Sequence, residues 1–366
     1  PRPARIRAVA AAPRALTPGL AARTFAGDPL PRRVLWRDWR RARTELRRFA
    51  NRPYDLVWYS HTDSLAGLGQ VPARASILDT VDLEEVRLRS LRRAHLRGLA
   101  AAIGPLAVDP AVEASRTGRA AELRYRALGV ASTHDAHRWG RLQRRLATAV
   151  DAAVVCSELD RDRLGVANAR VIPNGCEEPA TVADGTGGAD GATMAMVGLF
   201  HYGPNVDGAR FFAERVLPLV REHVPDAELR LIGRHDGHLA AIEGRPGLKL
   251  TGPVSDVSAE LARARIAVVP LRAGSGTRLK VIEAFACGLP VVSTALGCEG
   301  IGAVDERDLL IADDPEPFAH ACVRLLRDER LRARLRTNAR ALFEGSYRWS
   351  EIRARAGELV SELLRG

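Results

Sequence analysis

PLRAGSGTRLKVIEAFACGLPVVST, Pro270 to Thr294, reads as the end of a strand, a glycine-rich loop, a helix carrying Arg278, Lys280 and Glu283, and the next strand. Gly274 and Gly276 allow the backbone to approach a ligand closely. The free N–H groups and positive dipole end of the following helix favour a phosphate. Ser275 and Thr277 fall in the same loop and join the candidate ligand-binding set. Arg278 and Lys280 add full charge. Arginine supplies 53 of the 55 basic residues, so a lysine at 280 stands apart from the general basicity of the chain. Glu283, one turn beyond Lys280, lies on nearly the same helix face, where a carboxylate can accept hydrogen bonds from ribose hydroxyls. A solvated Arg–Lys–Glu ladder is the plain alternative for the same three residues.

On either side of this stretch, short apolar runs alternate with amphipathic segments. The pattern predicts strands at Met194–Val197, Glu228–Ile232, Lys249–Thr251, Ile266–Val269, Val291–Ser293 and Leu309–Ile311, with helices at Val206–Arg221, Val257–Ala264 and Leu279–Ala286. Such alternation calls for a parallel sheet covered on both faces, and ligands of such sheets bind beyond the carboxyl ends of the strands. Helices at Pro315–Arg327, Leu331–Phe343 and Trp349–Leu364 finish the chain.

The first half has the same rhythm: a helix from Trp36 to Phe49, strands at Leu56–Tyr59 and Ala75–Leu78, helices from Glu84 to Ala100 and Asp135 to Ala149, and a strand at Ala152–Cys156. From Glu177 to Thr193 the residues turn small, polar and glycine-rich, as a linker does. The expectation is an α/β chain of two Rossmann-like domains facing across a cleft, with parallel sheets and helices on both faces. The domains are expected at 1–178 and 194–346, joined by a linker at 179–193, with a final helix at 347–366 packing back on the first domain. Arg5 to Ala11 is either the second strand of a domain lacking its first βα unit, which would leave the chain inactive, or the first strand, followed by a loop at Thr17–Arg23.

Of the net charge of +11, the first 150 residues carry 28 arginines against 13 acidic residues, so the basic excess belongs to the first half alone. Such asymmetry fits nucleic acid, an anionic membrane surface or a phosphorylated substrate, with solvated arginine-rich helix faces the commoner explanation, and no zinc pattern, RNA-binding signature or aromatic–basic interleaving points to nucleic acid. No run of apolar residues is long enough to cross a bilayer, and the start lacks the apolar core of a signal peptide, which favours a cytoplasmic location. The five cysteines are odd in number and widely spaced, as reduced packing thiols are. A dehydrogenase is disfavoured, because no G-x-G-x-x-G leads from a strand into a helix.

The Pro270–Thr294 stretch resembles the donor-binding motif of family 4 glycosyltransferases, especially the branch reading G-S-G-T-R-L-K, then E-A, then G-x-P-V-V-S-T. Three further segments resemble that family in the right order: VCSELDRDRL with VIPNG (Val155–Leu164, Val171–Gly175), MVGLFHYGPNVDGARFF (Met196–Phe212) and LTGPVSDVSAELARARIAVVPL (Leu250–Leu271). The resemblance implies a GT-B fold and a retaining, hexosyltransferase-like enzyme. It would take a sugar from a UDP- or GDP-linked donor, a co-substrate, with no metal and no cofactor. It also implies that Glu283 binds ribose, that Gly198 is a close-approach glycine beside the diphosphate, that Arg234 lies near the base, and that Val254 to Val257 offer backbone contacts to it. Ser275 stands where the motif has its first acidic residue, and FHYGPN (Phe200–Asn205) stands where the family has a phosphate-binding Arg and Lys. Arg278 and Lys280 then carry more of the phosphate load.

On the acceptor side the resemblance points to LDTVD, giving Asp82 as a catalytic or acceptor-orienting carboxylate and Asp79 beside it, with His61 as a second candidate. Asn174 and Gly175 of VIPNG read as a turn into the linker. The acceptor itself is open between a glycan, a lipid-linked sugar and a small molecule. The helix at Arg87–Ala100, with Leu88, Leu91 and Leu99 among arginines, fits either an anionic membrane surface or a core-facing leucine stripe. Ser275 and the missing Arg/Lys pair keep a non-catalytic nucleotide-sugar-binding or scaffold protein, and a GT-B epimerase, as alternatives.

Overall fold

The computed structural model describes residues 12–13, 30–35, 37–49, 53–94, 119–183 and 191–365. The expected elements at Arg5–Ala11, Thr17–Arg23 and residues 95–100 lie outside them. The chain divides into two units, one of Pro1–Arg89, Gly129–Ile172 and Ala356–Gly366, the other of Ser90–Leu128 and Pro173–Arg355. The division thus falls between Ile172 and Pro173, ahead of the expected linker.

Through the first unit, α1 (Arg40–Phe49), β1 (Tyr54–Ser60), α2 (Thr62–Leu68), β2 (Ala73–Asp79), α3 (Glu84–Ala94), α4 (Arg119–Ala147), β3 (Ala152–Val155), α5 (Glu158–Leu164) and β4 (Ala169–Val171) follow in order, α3 from Ser90 on and α4 up to Leu128 belonging to the other unit. The strands pair in the order β1-β2-β3-β4, all parallel. Every residue of β3 (AAVV) is buried, as a central parallel strand requires. Ser157 caps α5 by accepting from Asp160 N, and Gly165, at φ 66°, ends it. On α3, Leu91 is buried and Leu88 packs beside Val34, Trp139 and Leu142, while Arg87 and Arg89 pair with Glu84 and Glu85. Those two leucines therefore face protein; Leu99 lies outside the described residues.

The second unit begins with β5 (Thr193–Val197) and α6 (Gly203–Phe211). The helix expected to run unbroken to Arg221 instead makes a π turn at Phe212–Val216 and resumes as α7 (Leu217–His223). Pro218 has no N–H to give and its ring crowds the carbonyl of Glu214, so the ladder is re-registered there. The unit continues with β6 (Glu228–Ile232), β7 (Leu248–Gly252), α8 (Val257–Ala262), β8 (Ile266–Val269), α9 (Leu279–Ala286), β9 (Val291–Ser293), β10 (Leu310–Ile311), α10 (Pro315–Arg327), α11 (Glu329–Ser346) and α12 (Trp349–Arg365). Its six strands are parallel in the order β10-β9-β8-β5-β6-β7. One large core fills it, in which Phe200, Phe212, Phe285, Phe318 and Phe343 are fully buried. The last part of α12 belongs to the first unit, where Leu359 packs with Ile77, Ala152 and Val154. Among the described residues no helix is long and apolar enough to cross a membrane. All five cysteines are free thiols.

Candidate functional site

The carboxyl ends of the three neighbouring strands β5, β6 and β7 are drawn together by backbone bonds. Gly198 N donates to Ile232 O at 3.0 Å, Phe200 N to Arg234 O at 2.7 Å and Gly233 N to Gly252 O at 2.8 Å. Gly233 holds φ 134°, and a Cβ there would lie 2.0 Å from Gly198 O, so the crossing admits only glycine. A Cβ on Gly198 would lie 2.9 Å from Asn205 Nδ2 and 3.4 Å from Lys280 Nζ. The site is therefore built against bare backbone, with an amide and an amine directly over it.

After β8 the chain enters the glycine-rich loop. Gly274 and Gly276 take φ 113° and 80°, conformations that L side chains avoid. Arg278 is buried: its Nε donates to Leu296 O at 3.1 Å and its Nη1 to Ser275 O at 2.5 Å. Its guanidinium thus shapes the loop from within. Asn174 Nδ2 donates to Thr277 Oγ1 at 3.0 Å. Asn174 of VIPNG therefore braces the loop as well. Ser275 Oγ is buried and has no hydrogen-bond partner among the described residues.

Lys280 and Glu283 sit on the first turns of α9. Lys280 Nζ donates to Asn205 Oδ1 at 2.6 Å. Burial of the amine, reinforced by the Arg278 charge and opposed by Glu283, pulls its pKa down to about 7. Burial likewise raises the Glu283 carboxyl, against the attraction of Lys280. Asn205, only 7% exposed, was not among the expected site residues. It lies in the FHYGPN segment, where the expected Arg/Lys pair is missing, and its side chain meets the Lys280 amine there. Arg234 is exposed and its Nε pairs with Asp236, at 2.8 Å from Oδ2, so the structure does not gather it with Lys280 and Glu283.

In the first unit, His61 and Asp79 meet at the carboxyl ends of β1 and β2, where His61 N donates to Asp79 O at 2.9 Å. His61 has φ 70° and Val81 φ 51°, the latter an outlier for a β-branched residue, so the two strand ends carry backbone strain. Burial raises the Asp79 carboxyl above its ordinary value, against hydrogen bonds from Val81 N and the Trp58 side chain and the charge of His61. Asp82 follows beyond the strained turn, its carbonyl accepting from Gln143 Nε2 at 3.0 Å.

Residues 191–328 match the family model described as glycosyl transferases group 1. Over those residues the second unit is similar to group 1 glycosyl transferases. A curated relative, the exopolysaccharide phosphotransferase of Streptomyces coelicolor, is 30% identical over 234 residues, which span 60% of this chain and 24% of that protein. The match thus spans about a quarter of that relative's length. Among solved structures, sucrose-phosphate synthase from Thermosynechococcus elongatus is similar with TM-score 0.62 and 18% identity over 88% of this chain and 77% of its own. HepE of Anabaena, solved with UDP, is similar with TM-score 0.59 and 13% identity over 87% of this chain and 82% of its own. These similarities agree with the sheet topology: the architecture is GT-B, an α/β fold of Rossmann-like units with parallel sheets flanked by helices.

Proposed function

We propose that the chain is a glycosyltransferase that moves a sugar from a UDP- or GDP-linked donor to an acceptor hydroxyl, by a retaining and metal-independent route, in the synthesis of a glycan or glycolipid. The observation that carries this reading is the Lys280 amine, seated over the bare backbone of Gly198 with Glu283 one turn further along α9. Sugar transfer from such a donor expels a nucleoside diphosphate, and a fixed ammonium at that leaving group stabilises charge that grows in the transition state. The backbone at Gly198 and in the Gly274–Gly276 loop can approach the phosphates, Glu283 can accept from ribose, and Ser275 can offer its orphan hydroxyl to the sugar. Arg278 acts from behind, holding the loop. In the first unit Asp79, with Asp82 and His61 near it, serves the acceptor hydroxyl, as an orienting group or a base.

The exopolysaccharide relative supports a polysaccharide acceptor over a small molecule. A membrane-lying role for α3 has less to rest on, since Leu88 and Leu91 are turned to protein. The test is incubation with UDP- and GDP-linked hexoses, following release of the nucleoside diphosphate and the anomeric configuration of the product. Release that requires Lys280 supports the proposal. Binding without release, from a full-length chain given polysaccharide acceptors, would favour a non-catalytic binder. Conversion of the sugar without an acceptor would favour an epimerase.

A further inference from the structure

We propose that Asn205 is a positioning residue for the phosphate-binding charge: its amide aims the Lys280 ammonium at the backbone of Gly198 and, being neutral, leaves that charge for a diphosphate to meet. The inference rests on the reading of this site as one for a nucleoside diphosphate. Both ends of the amide are committed. Oδ1 accepts from Lys280 Nζ at 2.6 Å, and Nδ2 donates to Leu199 O at 2.9 Å. One side chain from α6 thus ties the residue after Gly198 to an amine carried by α9. The side chain is buried, and the would-be Cβ of Gly198 touches its Nδ2, so there is little room for a second arrangement.

The chemistry of the pairing decides what it is for. A carboxylate at 205 would reach the same amine and form an ion pair, and a phosphate would then have to displace the protein's own anion. A neutral amide gives the same direction to the N–H bonds without cancelling the charge. The charged groups that bear on this amine are Arg278, which disfavours its protonation, and Glu283, which favours it. Both come from the loop and helix that carry Lys280. From α6 the amine meets Asn205, and from the end of β5 the glycine backbone. Changing residue 205 should therefore change the proton affinity of the amine directly, and in a direction set by the side chain introduced.

The experiment is calorimetric titration of UDP and of GDP into the full chain at a series of pH values, for the wild type, Asn205→Asp, Asn205→Ser and Lys280→Met, each checked for folding by thermal unfolding. Wild-type affinity is expected to fall as pH rises past neutrality. Asn205→Asp should weaken binding by about tenfold or more, by placing a like charge beside the phosphates, and move the fall to higher pH. Asn205→Ser, too short to reach the amine, should move the fall to lower pH. A merely structural amide predicts no movement of the midpoint in Asn205→Ser, and that result would overturn the inference. Wild-type binding that Lys280→Met weakens but both Asn205 variants leave unchanged would sink the inference alone. Failure of the folded wild type to bind either nucleotide would sink the site reading together with it.

Discussion

Arg272 clasps Asp207 through two hydrogen bonds, Nε to Oδ2 at 3.0 Å and Nη2 to Oδ1 at 2.7 Å, and lies over the Phe211 ring with its Cζ 4.4 Å from the centroid. Asp207 is 1% exposed, and burial raises its carboxyl despite the arginine. The pair fastens the start of the glycine-rich loop to α6. Arg272→Ala leaves a buried carboxylate without its partner and should cost about 3–5 kcal/mol. The double change Arg272→Met, Asp207→Leu should recover most of that. Urea denaturation decides the point, and a loss below about 1 kcal/mol in Arg272→Ala would place the pair among ordinary surface bridges.

Gly233→Ala should be destabilising by about 1–3 kcal/mol or more, because the added methyl meets backbone and not a side chain that can swing away. Gly198→Ala presses instead on side-chain ends, the Asn205 amide and the Lys280 amine, and displaces the hydrogen bonds that hold them. Its loss of stability should be smaller than that of Gly233→Ala, while nucleotide affinity drops by about tenfold. Thermal unfolding and UDP or GDP titration on the same samples separate the two effects.

Lys280 gives a stability signature that is independent of any ligand. Its folded pKa of about 7 lies below the ordinary 10.5. Below pH 7 the amine is charged in both folded and unfolded chains, and the folded state bears the full cost of burying that charge. As pH rises from 7 towards 10.5 the folded amine is neutral while the unfolded one still holds its proton, so the cost is progressively relieved. Lys280→Met should therefore raise the melting temperature most in mildly acidic buffer, and the gain should shrink in alkaline buffer. A gain that is equal at both ends would mean the amine is solvated.

Much of the second unit's fold was legible because its signals are local. The alternation of VV and LI runs with helices gives the parallel sheet, and the G-S-G-T-R-L-K stretch places Gly274, Gly276 and Lys280 without reference to distant residues. What stayed hidden depends on long-range pairing. Asn205 sits 75 residues from Lys280 and Asn174 103 from Thr277, and a lone asparagine in a turn-like phrase carries no mark of its partner. The PN of FHYGPN was a weak signal, since Pro in the first turn and a polar residue beside it start many helices. Arg278 is expected at the phosphate from its charge and its place in the G-S-G-T-R-L-K stretch. Its burial and its two carbonyl bonds follow from the path of the loop, which composition does not encode.

Asp79 and Asp82 make separable predictions on the acceptor side. If Asp79 serves the acceptor hydroxyl, Asp79→Asn should lower turnover by about 10²-fold or more while leaving donor binding intact. As a base it must be ionised, and its carboxyl is raised by burial, so wild-type turnover should fall as pH drops through that raised value. Asp82→Asn should have the smaller effect. The reverse ranking, measured as kcat with a saturating donor, would return the catalytic role to Asp82.

The most direct measurement of the central claim is calorimetric titration of UDP, GDP and their common sugar conjugates, without divalent metal, into the wild type, Lys280→Met and Glu283→Ala. The account expects micromolar binding of one nucleotide by the wild type, on the order of −8 kcal/mol, with large losses in both variants. A folded chain that binds none of these ligands, or binds one equally well in all three proteins, would contradict it.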